Sequence, residues 1–312
     1  MGNNSDYLDQ LLNVFWLRPE TALWRSIDIE TMSDFEIVSP SLDLGCGDGI
    51  FSFIRAGGKF EKSFDAFQSI GKIENYFNNI DIYDHFDNSL NPSVTGKPKY
   101  EIDVAFDHKE NLLNKAKTLN FYKNFIRGDA NDKLPFDNDS FQSIFSNIIY
   151  WLNNPEMTFK ELFRILKPGG QCCIMLPNKS FVDFLFYNKY FLKNGDEQYR
   201  FLEKLDRGRL AELIQVTKSS DEWKTLIYNS GLKIRSHKKH LSKTVVQIWD
   251  IGLRPLFPAL LKMVQAIDSA QLPEIKKNWV DILRMFIEPI SKMDGELDGA
   301  DEPGFHCFIL QK

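Results

Sequence analysis

The stretch SLDLGCGDGI, residues 41–50, determines how the rest of the sequence is interpreted. A short strand-like segment enters a turn with glycine at positions 45, 47 and 49, after which Ile50 resumes apolar character. Glycine can adopt a positive φ, and it lets a ligand approach the backbone without a Cβ in the way. At the tip of a strand that leads into a helix, we expect such a turn to expose backbone N–H groups toward an adenosine-bearing ligand.

The glycine spacing argues against one class of nucleotide site. A dinucleotide fingerprint, G-x-G-x-x-G, would need its third glycine at position 50, where this chain has Ile50. A nicotinamide-dependent oxidoreductase is therefore the weakest of the functional alternatives. A glycine loop on its own also fits an ordinary tight turn, so the interpretation depends on the segments that follow it.

Composition limits the classes of function. With 312 residues, 43% hydrophobic and 26% charged, the chain is long enough for one elaborated α/β domain or two small ones. Its net charge of −5 gives no general attraction to nucleic acid. The four cysteines lack the spacing of a zinc site and are expected to be reduced thiols. Without a signal-peptide pattern or a long apolar run, we expect a cytoplasmic protein with no transmembrane segment.

A second predicted strand ends in an acidic residue. Ile102, Val104 and Phe106 alternate as in a strand, and Asp107 follows before a helical pattern begins. A carboxylate at the end of a strand can accept two hydrogen bonds from the vicinal hydroxyls of a ribose. The alternative is that Asp107 only caps the helix, a position that Asp also favours.

Two further strands lead to more candidate residues. Residues 125–130 are predicted to form a short strand that ends in Gly-Asp-Ala, and residues 140–147 the next one. Tyr150 lies just past this fourth strand, at the edge where ligands bind in open parallel sheets. Because a tyrosine pKa is ordinarily about 10, Tyr150 is a poor general base and only a weak candidate for catalysis.

Several of these segments carry a family resemblance. DLGCGDG, residues 43–49, resembles the first motif of class I S-adenosylmethionine-dependent methyltransferases. ELFRILKPGG, residues 161–170, is typical of methyltransferase type 11, the group of the ubiquinone and menaquinone biosynthesis enzymes. The resemblance implies a Rossmann-like α/β fold, with a seven-stranded, mostly parallel sheet, an antiparallel last strand, helices on both faces and helical insertions.

The resemblance also implies S-adenosyl-L-methionine as the cofactor, and no metal. In related enzymes the acid after the third strand, here Asp129, accepts from the adenine amino group, and the next backbone N–H meets a ring nitrogen. Asp43 would orient the loop or reach the methionine amine through water. The implied cofactor contacts are Asp43, Gly45, Cys46, Gly47, Gly49, Asp107, Asp129, Ala130 and Asn147.

The expected domain organisation is a single methyltransferase domain over the whole chain, residues 1–312. Residues 36–177 form its cofactor-binding core, which residues 221–235 and 304–312 complete. An insertion at about 56–99 interrupts the core and is expected to contain a helix around residues 64–77.

Two aromatic-rich segments, residues 178–220 and 236–303, are expected to form a helical cap over the acceptor. The part from Trp249 to Pro258 resembles a group of bacterial methyltransferases of surface-polysaccharide or glycolipid pathways. This suggests methyl transfer to a small-molecule acceptor such as a sugar, a glycolipid or another polysaccharide precursor. Contact of the next helix with a membrane surface is an alternative to simple packing. A non-catalytic S-adenosylmethionine-binding or scaffold protein is the alternative from another class, and the oligomeric state stays open.

Overall fold

The structure, a computed structural model, describes residues 4–66, 92–203, 213–295 and 301–312. Its strands are β1 Ser41–Leu44, β2 Lys59–Phe60, β3 Val94–Gly96, β4 Ile102–Asp107, β5 Tyr122–Arg127, β6 Phe141–Ser146, β7 Leu166–Pro177, β8 Lys233–His240 and β9 Phe305–Gln311. Its α-helices are α1 Asn4–Val14, α2 Pro19–Thr31, α3 Ile50–Arg55, α4 Glu110–Thr118, α5 Pro155–Ile165, α6 Lys179–Phe184, α7 Ser220–Asn229, α8 Lys243–Gln247, α9 Leu256–Gln265 and α10 Leu272–Asp294. Shorter 3₁₀ and π turns cover Ile149–Trp151, Tyr187–Lys193, Glu197–Leu202 and Ile248–Leu253.

Seven of the strands form one sheet in the order β5-β4-β1-β6-β7-β9-β8. The strands from β5 to β7 run parallel to their neighbours, whereas β9 is antiparallel to both β7 and β8. The predicted α/β fold, with a mostly parallel sheet and an antiparallel last strand, is therefore confirmed. β1 lies between β4 and β6, so the order of the strands in the sheet runs outward from β1 on both sides. In open parallel sheets, ligands bind where the strand order reverses in this way.

Helices cover both faces of the sheet, as predicted. On one face, α5 and α7 pack with Phe159, Leu162 and Trp223 against strand residues such as Ile144 and Phe308. The other face carries α2, α3 and α4, and its apolar cluster continues into α1 and the helices of residues 241–295. In the part of the chain with described structure, no helix is both long and apolar enough to cross a membrane.

Local capping explains where two of these helices begin. The side chain of Asn154 accepts a hydrogen bond from the N–H of Met157, and Pro155 occupies the first helical position of α5. Before α7, the Ser219 hydroxyl and the Glu222 carboxylate each bond the backbone of the other, which is a complete capping box. Both starts follow from residues that are adjacent in sequence.

The K-P-G-G segment differs from the predicted turn before the fifth strand. Strand β7 begins at Leu166, which pairs with Phe141, and the next pair on β6 joins Ser143 to Gln171. Residues 167–170 therefore form a bulge inside the strand, and Gly169 within it has a φ of +78°. The sequence predicts that K-P-G-G ends the preceding helix and that the fifth strand covers residues 171–176; this start was wrong because Leu166 already pairs with β6.

Two other boundaries differ from the sequence prediction. Strand β8 continues to His240, past residue 235, where the core segment was expected to end. Strands β2 and β3 form an antiparallel ribbon at the two ends of the insertion at about 56–99, and no pattern in the sequence indicated it. The helix expected around residues 64–77 lies mostly outside the described residues.

Candidate cofactor site

The predicted site residues meet at one edge of the sheet. Strands β1, β4, β5 and β6 run parallel, so their carboxyl ends lie together. The glycine loop follows β1 at this edge, and Asp107 is the last residue of β4. Asp129 comes just after β5, and Tyr150 comes shortly after β6.

The backbone N–H groups of the loop are used within the chain. Those of Gly45 and Cys46 donate to the Phe106 carbonyl at 2.8 and 3.1 Å. That of Gly47 donates to Oδ2 of Asp107 at 2.9 Å. For these three groups the expectation that they point toward a ligand was wrong, because they fasten the loop to the end of β4.

The glycines of the loop differ in their surroundings. A Cβ on Gly45 would lie 2.4 Å from the side chain of Ile148, and one on Gly49 would lie 2.8 Å from Tyr122. Packing therefore requires glycine at both positions. A Cβ on Gly47, where φ is +57°, would meet no described atom within 4 Å. The loop thus has one open face, at Gly47, where a ligand can approach the backbone.

The carboxylate of Asp107 is held by the backbone on both sides. Oδ2 accepts from the N–H of Gly47, and Oδ1 accepts from the N–H of Lys109, both at 2.9 Å. The residue is 7% exposed. Since a carboxylate oxygen can accept two hydrogen bonds, Oδ2 keeps one acceptor position, and the second position of Oδ1 faces Nδ1 of the exposed His108 at 3.5 Å. Asp107 thus helps to begin α4 and also has the acceptors that a ribose diol would need.

Asp43 lies beneath the loop rather than in it. Its Oδ2 accepts from the hydroxyls of Ser52 at 2.6 Å and Tyr122 at 2.7 Å. These bonds join β1 to α3 and β5. Burial raises the pKa of Asp43 to about 6, although both hydroxyl donors act in the opposite direction.

Asp129 and Ala130 differ in exposure. Oδ1 of the exposed Asp129 accepts from the backbone N–H and the side-chain amide of Asn131, both at 2.9 Å. The backbone hydrogen bond is the main reason that the pKa of Asp129 is lowered. Ala130 is buried in the apolar cluster of the α5 face. Asn147 directly follows β6 and is partly buried.

Tyr150 is packed among aromatic rings. Its ring lies 4.8 Å from that of Trp151 and meets the Phe305 ring edge-on at 5.7 Å, centroid to centroid. Phe305 begins β9, so these rings connect the end of β6 to the outer half of the sheet. This packing gives no sign that the hydroxyl of Tyr150 is activated as a base.

The charge around the loop suits a cationic ligand group. Loss of solvent raises the pKa of the Cys46 thiol, and the carboxylates of Asp43, Asp107 and Asp48 raise it further. Three acidic side chains thus contribute negative potential at one short loop. A sulfonium or an ammonium group is favoured in such a field, whereas a phosphate is not. The described residues contain no cluster of acidic, histidine or cysteine side chains that could hold a metal ion.

Comparison with known families identifies the fold. Residues 97–174, which include Asp107, Asp129 and the K-P-G-G bulge, match the family model described as a methyltransferase domain. This match supports a class I S-adenosylmethionine-dependent methyltransferase. The same match supports S-adenosylmethionine as the cofactor. No curated protein matches the sequence of this chain.

Solved structures of methyltransferases share the fold at low sequence identity. An enzyme from Thermotoga maritima is 14% identical, with 92% of this chain and 89% of that chain covered and a TM-score of 0.44. One from Mesorhizobium loti is 13% identical, with 91% and 96% covered and a TM-score of 0.43. A phosphoethanolamine N-methyltransferase of Haemonchus contortus, solved with S-adenosylhomocysteine, is 13% identical, with 100% and 61% covered and a TM-score of 0.47. At these scores the neighbours do not bear on the acceptor of this methyltransferase.

The sequence prediction missed the residues that support the loop. Ser52 and Tyr122 hold Asp43, and Ile148 fills the space beside Gly45. They come from three different elements and belong to no recognisable motif. The alternation of polar and apolar residues along β1 could have signalled that Asp43 points into a buried layer.

Proposed function

We propose that S-adenosylmethionine lies across the open face of Gly47, with its ribose hydroxyls on Asp107 and its adenine beside Asp129 and Ala130. The observation that carries this assignment is the hydrogen bond from Gly47 N–H to Asp107. It sets a carboxylate with unused acceptor positions directly beside the part of the loop that has no side chain. Cys46 and Asn147 would line the same pocket.

The other residues of the predicted set have supporting roles in this proposal. Gly45 and Gly49 allow the loop to pack against Ile148 and Tyr122. Asp43 orients the loop from below through α3 and β5, and contributes negative charge near the methionine amine. Asp129 is ionised at neutral pH because its pKa is lowered, so it can accept from the adenine amino group.

We further propose that the acceptor is a small molecule that carries a hydroxyl group, such as a sugar, a glycolipid or another surface-polysaccharide precursor. The resemblance of residues Trp249–Pro258 supports this class. In the structure these residues form the Ile248–Leu253 turn and the start of α9, within the proposed cap. The net charge of −5 disfavours a nucleic acid as the acceptor.

The bound cofactor supplies an activated methyl group, so the protein mainly has to align the acceptor with it. Holding two reactants in a near-attack geometry can lower a barrier by about 7 kcal/mol or more. The rigid loop, fastened to β4, fixes one partner in this arrangement. The aromatic rings of Tyr150, Phe305 and the cap would position the other and exclude water.

Isotope transfer tests this proposal. The purified protein would be incubated with S-adenosylmethionine labelled with deuterium in the methyl group and with hexoses, nucleotide sugars and glycolipids. Mass spectrometry should detect a labelled methyl group on one of these compounds, together with S-adenosylhomocysteine. Label on a protein or a nucleic acid, with none on the small molecules, would refute the proposed acceptor class.

A further inference from the structure

A buried histidine and a buried aspartate face each other between α2 and β8. Nε2 of His240 lies 3.3 Å from Oδ1 of Asp28, and both side chains are 1% exposed. Within the described ranges, neither ring nitrogen of His240 has a hydrogen-bond partner of ordinary geometry, and neither has Oδ1 of Asp28. A buried polar group without a hydrogen-bond partner destabilises the folded protein. Such a group in a folded protein therefore calls for an explanation.

The pair lies at the same edge of the sheet as the glycine loop. β8 runs parallel to β7, since both are antiparallel to β9, so His240 is at the carboxyl end of its strand. His240 and Pro177, the last residue of β7, both pair with Phe305. The ring of Phe305 lies 6.0 Å from the His240 ring and 5.7 Å from the ring of Tyr150.

Contacts through Arg25 connect the pair to the cofactor loop. Oδ2 of Asp28 accepts from Nη1 of Arg25 at 3.2 Å. The Arg25 guanidinium lies over the ring of Phe51, 5.2 Å from its centroid. Phe51 is the second residue of α3, directly after the loop, and it stacks on Phe145 near the end of β6. His240 and Asp28 therefore border the region between the loop and the cap.

Phe305, beside His240, belongs to a group of aromatic rings that joins α2 to the proposed cap. Trp24, on α2, meets Phe181, Trp249 and Phe305 edge-on at centroid distances of 5.0–5.6 Å. Phe181, Trp249 and Phe305 are buried, whereas Trp24 keeps part of its surface exposed. Phe305, the ring beside His240, therefore belongs to an aromatic group of which Trp24 reaches the surface.

We propose that His240 is the general base of the transfer and that Asp28 is its positioning residue. This inference rests on the proposed transfer to a hydroxyl group. With Nε2–H directed at Asp28, the imidazole has its Nδ1 lone pair available for a proton. As the acceptor oxygen bonds the methyl carbon, the S–CH3 bond breaks with its electron pair on sulfur. The hydroxyl proton moves to Nδ1, and the resulting imidazolium is stabilised by the Asp28 carboxylate.

Two other histidines provide an internal contrast. Nε2 of His237 lies 3.0 Å from Nδ1 of His306, and the His237 ring stacks on Phe308 at 4.2 Å. Burial lowers the pKa of His237 to about 4. Burial also lowers the pKa of His306 to about 3, with a further contribution from His237. In a strand the side chains alternate between faces, so this pair lies on the opposite face of the sheet from His240. His237 is therefore a suitable control position.

Kinetics with matched variants test the proposal. We would compare wild type, His240→Gln, Asp28→Asn and His237→Gln with labelled S-adenosylmethionine and a panel of hydroxyl compounds: methanol, phenol, glucose and glycerol. His240→Gln should lower kcat by about 100-fold or more, the usual range for loss of a general base. Calorimetry should show unchanged S-adenosylhomocysteine binding. Asp28→Asn should lower kcat with little change in KM, and His237→Gln should behave as wild type.

A rescue experiment separates a base from a structural role. His240→Ala leaves space for an imidazole, so added imidazole should restore transfer, whereas pyrazole, which has a similar shape but is much less basic, should not. NMR of ¹⁵N-histidine-labelled protein gives a readout that is independent of activity. In the complex with S-adenosylhomocysteine, His240 should carry its proton on Nε2, and Asp28→Asn should produce a mixture of tautomers.

Several results would overturn the assignment. Transfer by His240→Gln within threefold of wild type would remove His240 as the base, as would equal rescue by imidazole and pyrazole. A His240 signal protonated at Nδ1 would contradict the role of Asp28. Wild type that binds S-adenosylhomocysteine but methylates none of the hydroxyl compounds would also count against the proposal. Failure of wild type to bind S-adenosylhomocysteine would instead refute the proposed cofactor site.

Discussion

The two halves of the sheet differ in whether their buried polar groups have hydrogen-bond partners. In the half formed by β5, β4, β1 and β6, the carboxylates of Asp43, Asp103 and Asp107 each accept hydrogen bonds from the chain. In the half formed by β7, β9 and β8 with α2, several buried polar atoms lack hydrogen-bond partners among the described residues. On the face covered by α2, these atoms are Oε2 of Glu20, Oδ1 of Asp28 and both ring nitrogens of His240.

This difference suggests that the two halves serve different partners. The glycine loop is held in one geometry because its N–H groups are hydrogen-bonded to Phe106 and Asp107. A fixed geometry suits a cofactor that is the same in every reaction. Unpartnered groups beneath an aromatic cap suit an acceptor whose polar atoms complete the hydrogen bonding. If the two halves of the sheet are independent, a substitution in one half should not alter ligand binding in the other. The following variants test this.

The largest effect should come from the cap. Arg254 forms an ion pair with Asp250, which is fully buried and also accepts from the N–H of Phe186. Arg254→Met leaves that carboxylate without its cation and should lower the free energy of unfolding by about 3–5 kcal/mol. Urea unfolding measures this loss, with the exposed Arg200→Met as the control. Affinity for S-adenosylhomocysteine should change less than about twofold; a large loss would show that the halves are coupled.

Asp43→Asn should change the pH dependence of stability in the cofactor half. The pKa of Asp43 is raised from 3.8 to about 6, so the unfolded chain loses this proton at lower pH than the folded one. Wild type therefore loses about 2 kcal/mol of stability as the pH rises from 4 to 6, out of about 3 kcal/mol over the whole titration. The Asn variant should lack this loss, so its stability relative to wild type should increase with pH. Parallel stability curves from urea unfolding at pH 4, 5, 6 and 7 would rule out this account of Asp43.

Two glycine variants should separate packing from ligand access. Gly45→Ala and Gly47→Ala both place a Cβ at positive φ, which costs about 1–2 kcal/mol. Only Gly45→Ala also overlaps Ile148, so it should be less stable than Gly47→Ala by about 1–3 kcal/mol. Gly47→Ala should instead weaken S-adenosylhomocysteine binding. Equal stabilities in thermal unfolding, with unchanged binding by Gly47→Ala, would contradict the distinction between the two glycines.

The smallest expected effect concerns α7, far from the loop. Ser219→Ala removes the hydroxyl of the capping box and should lower stability by about 1 kcal/mol. Chemical denaturation measures the change, and Ser219→Asp, which can still cap, should recover most of it. Neither variant should alter cofactor affinity. If Ser219→Ala is as stable as wild type, the Ser219 hydroxyl does not contribute and Glu222 alone caps α7.

The comparison also explains how much the sequence could predict. The glycine loop, Asp107 and the capping box are local patterns, so their elements were found in the right order. The bonds from the loop to Phe106 and Asp107 were missed because the partners are distant in sequence. The K-P-G-G bulge depends on register with β6. Asp28 and His240 come together only through the antiparallel insertion of β9 and the packing of α2, neither of which a single-residue pattern indicates.

The central claim is that the cofactor is held at Gly47 and Asp107, and calorimetry with S-adenosylhomocysteine tests it most directly. Wild type should bind, and Asp107→Ala should weaken binding by about 100-fold or more, because two charge-assisted hydrogen bonds are lost. Asp221→Ala, at an exposed position on α7, should bind as wild type does. Thermal unfolding of each protein would confirm that it is folded. Unchanged affinity in a folded Asp107→Ala variant would contradict the claim.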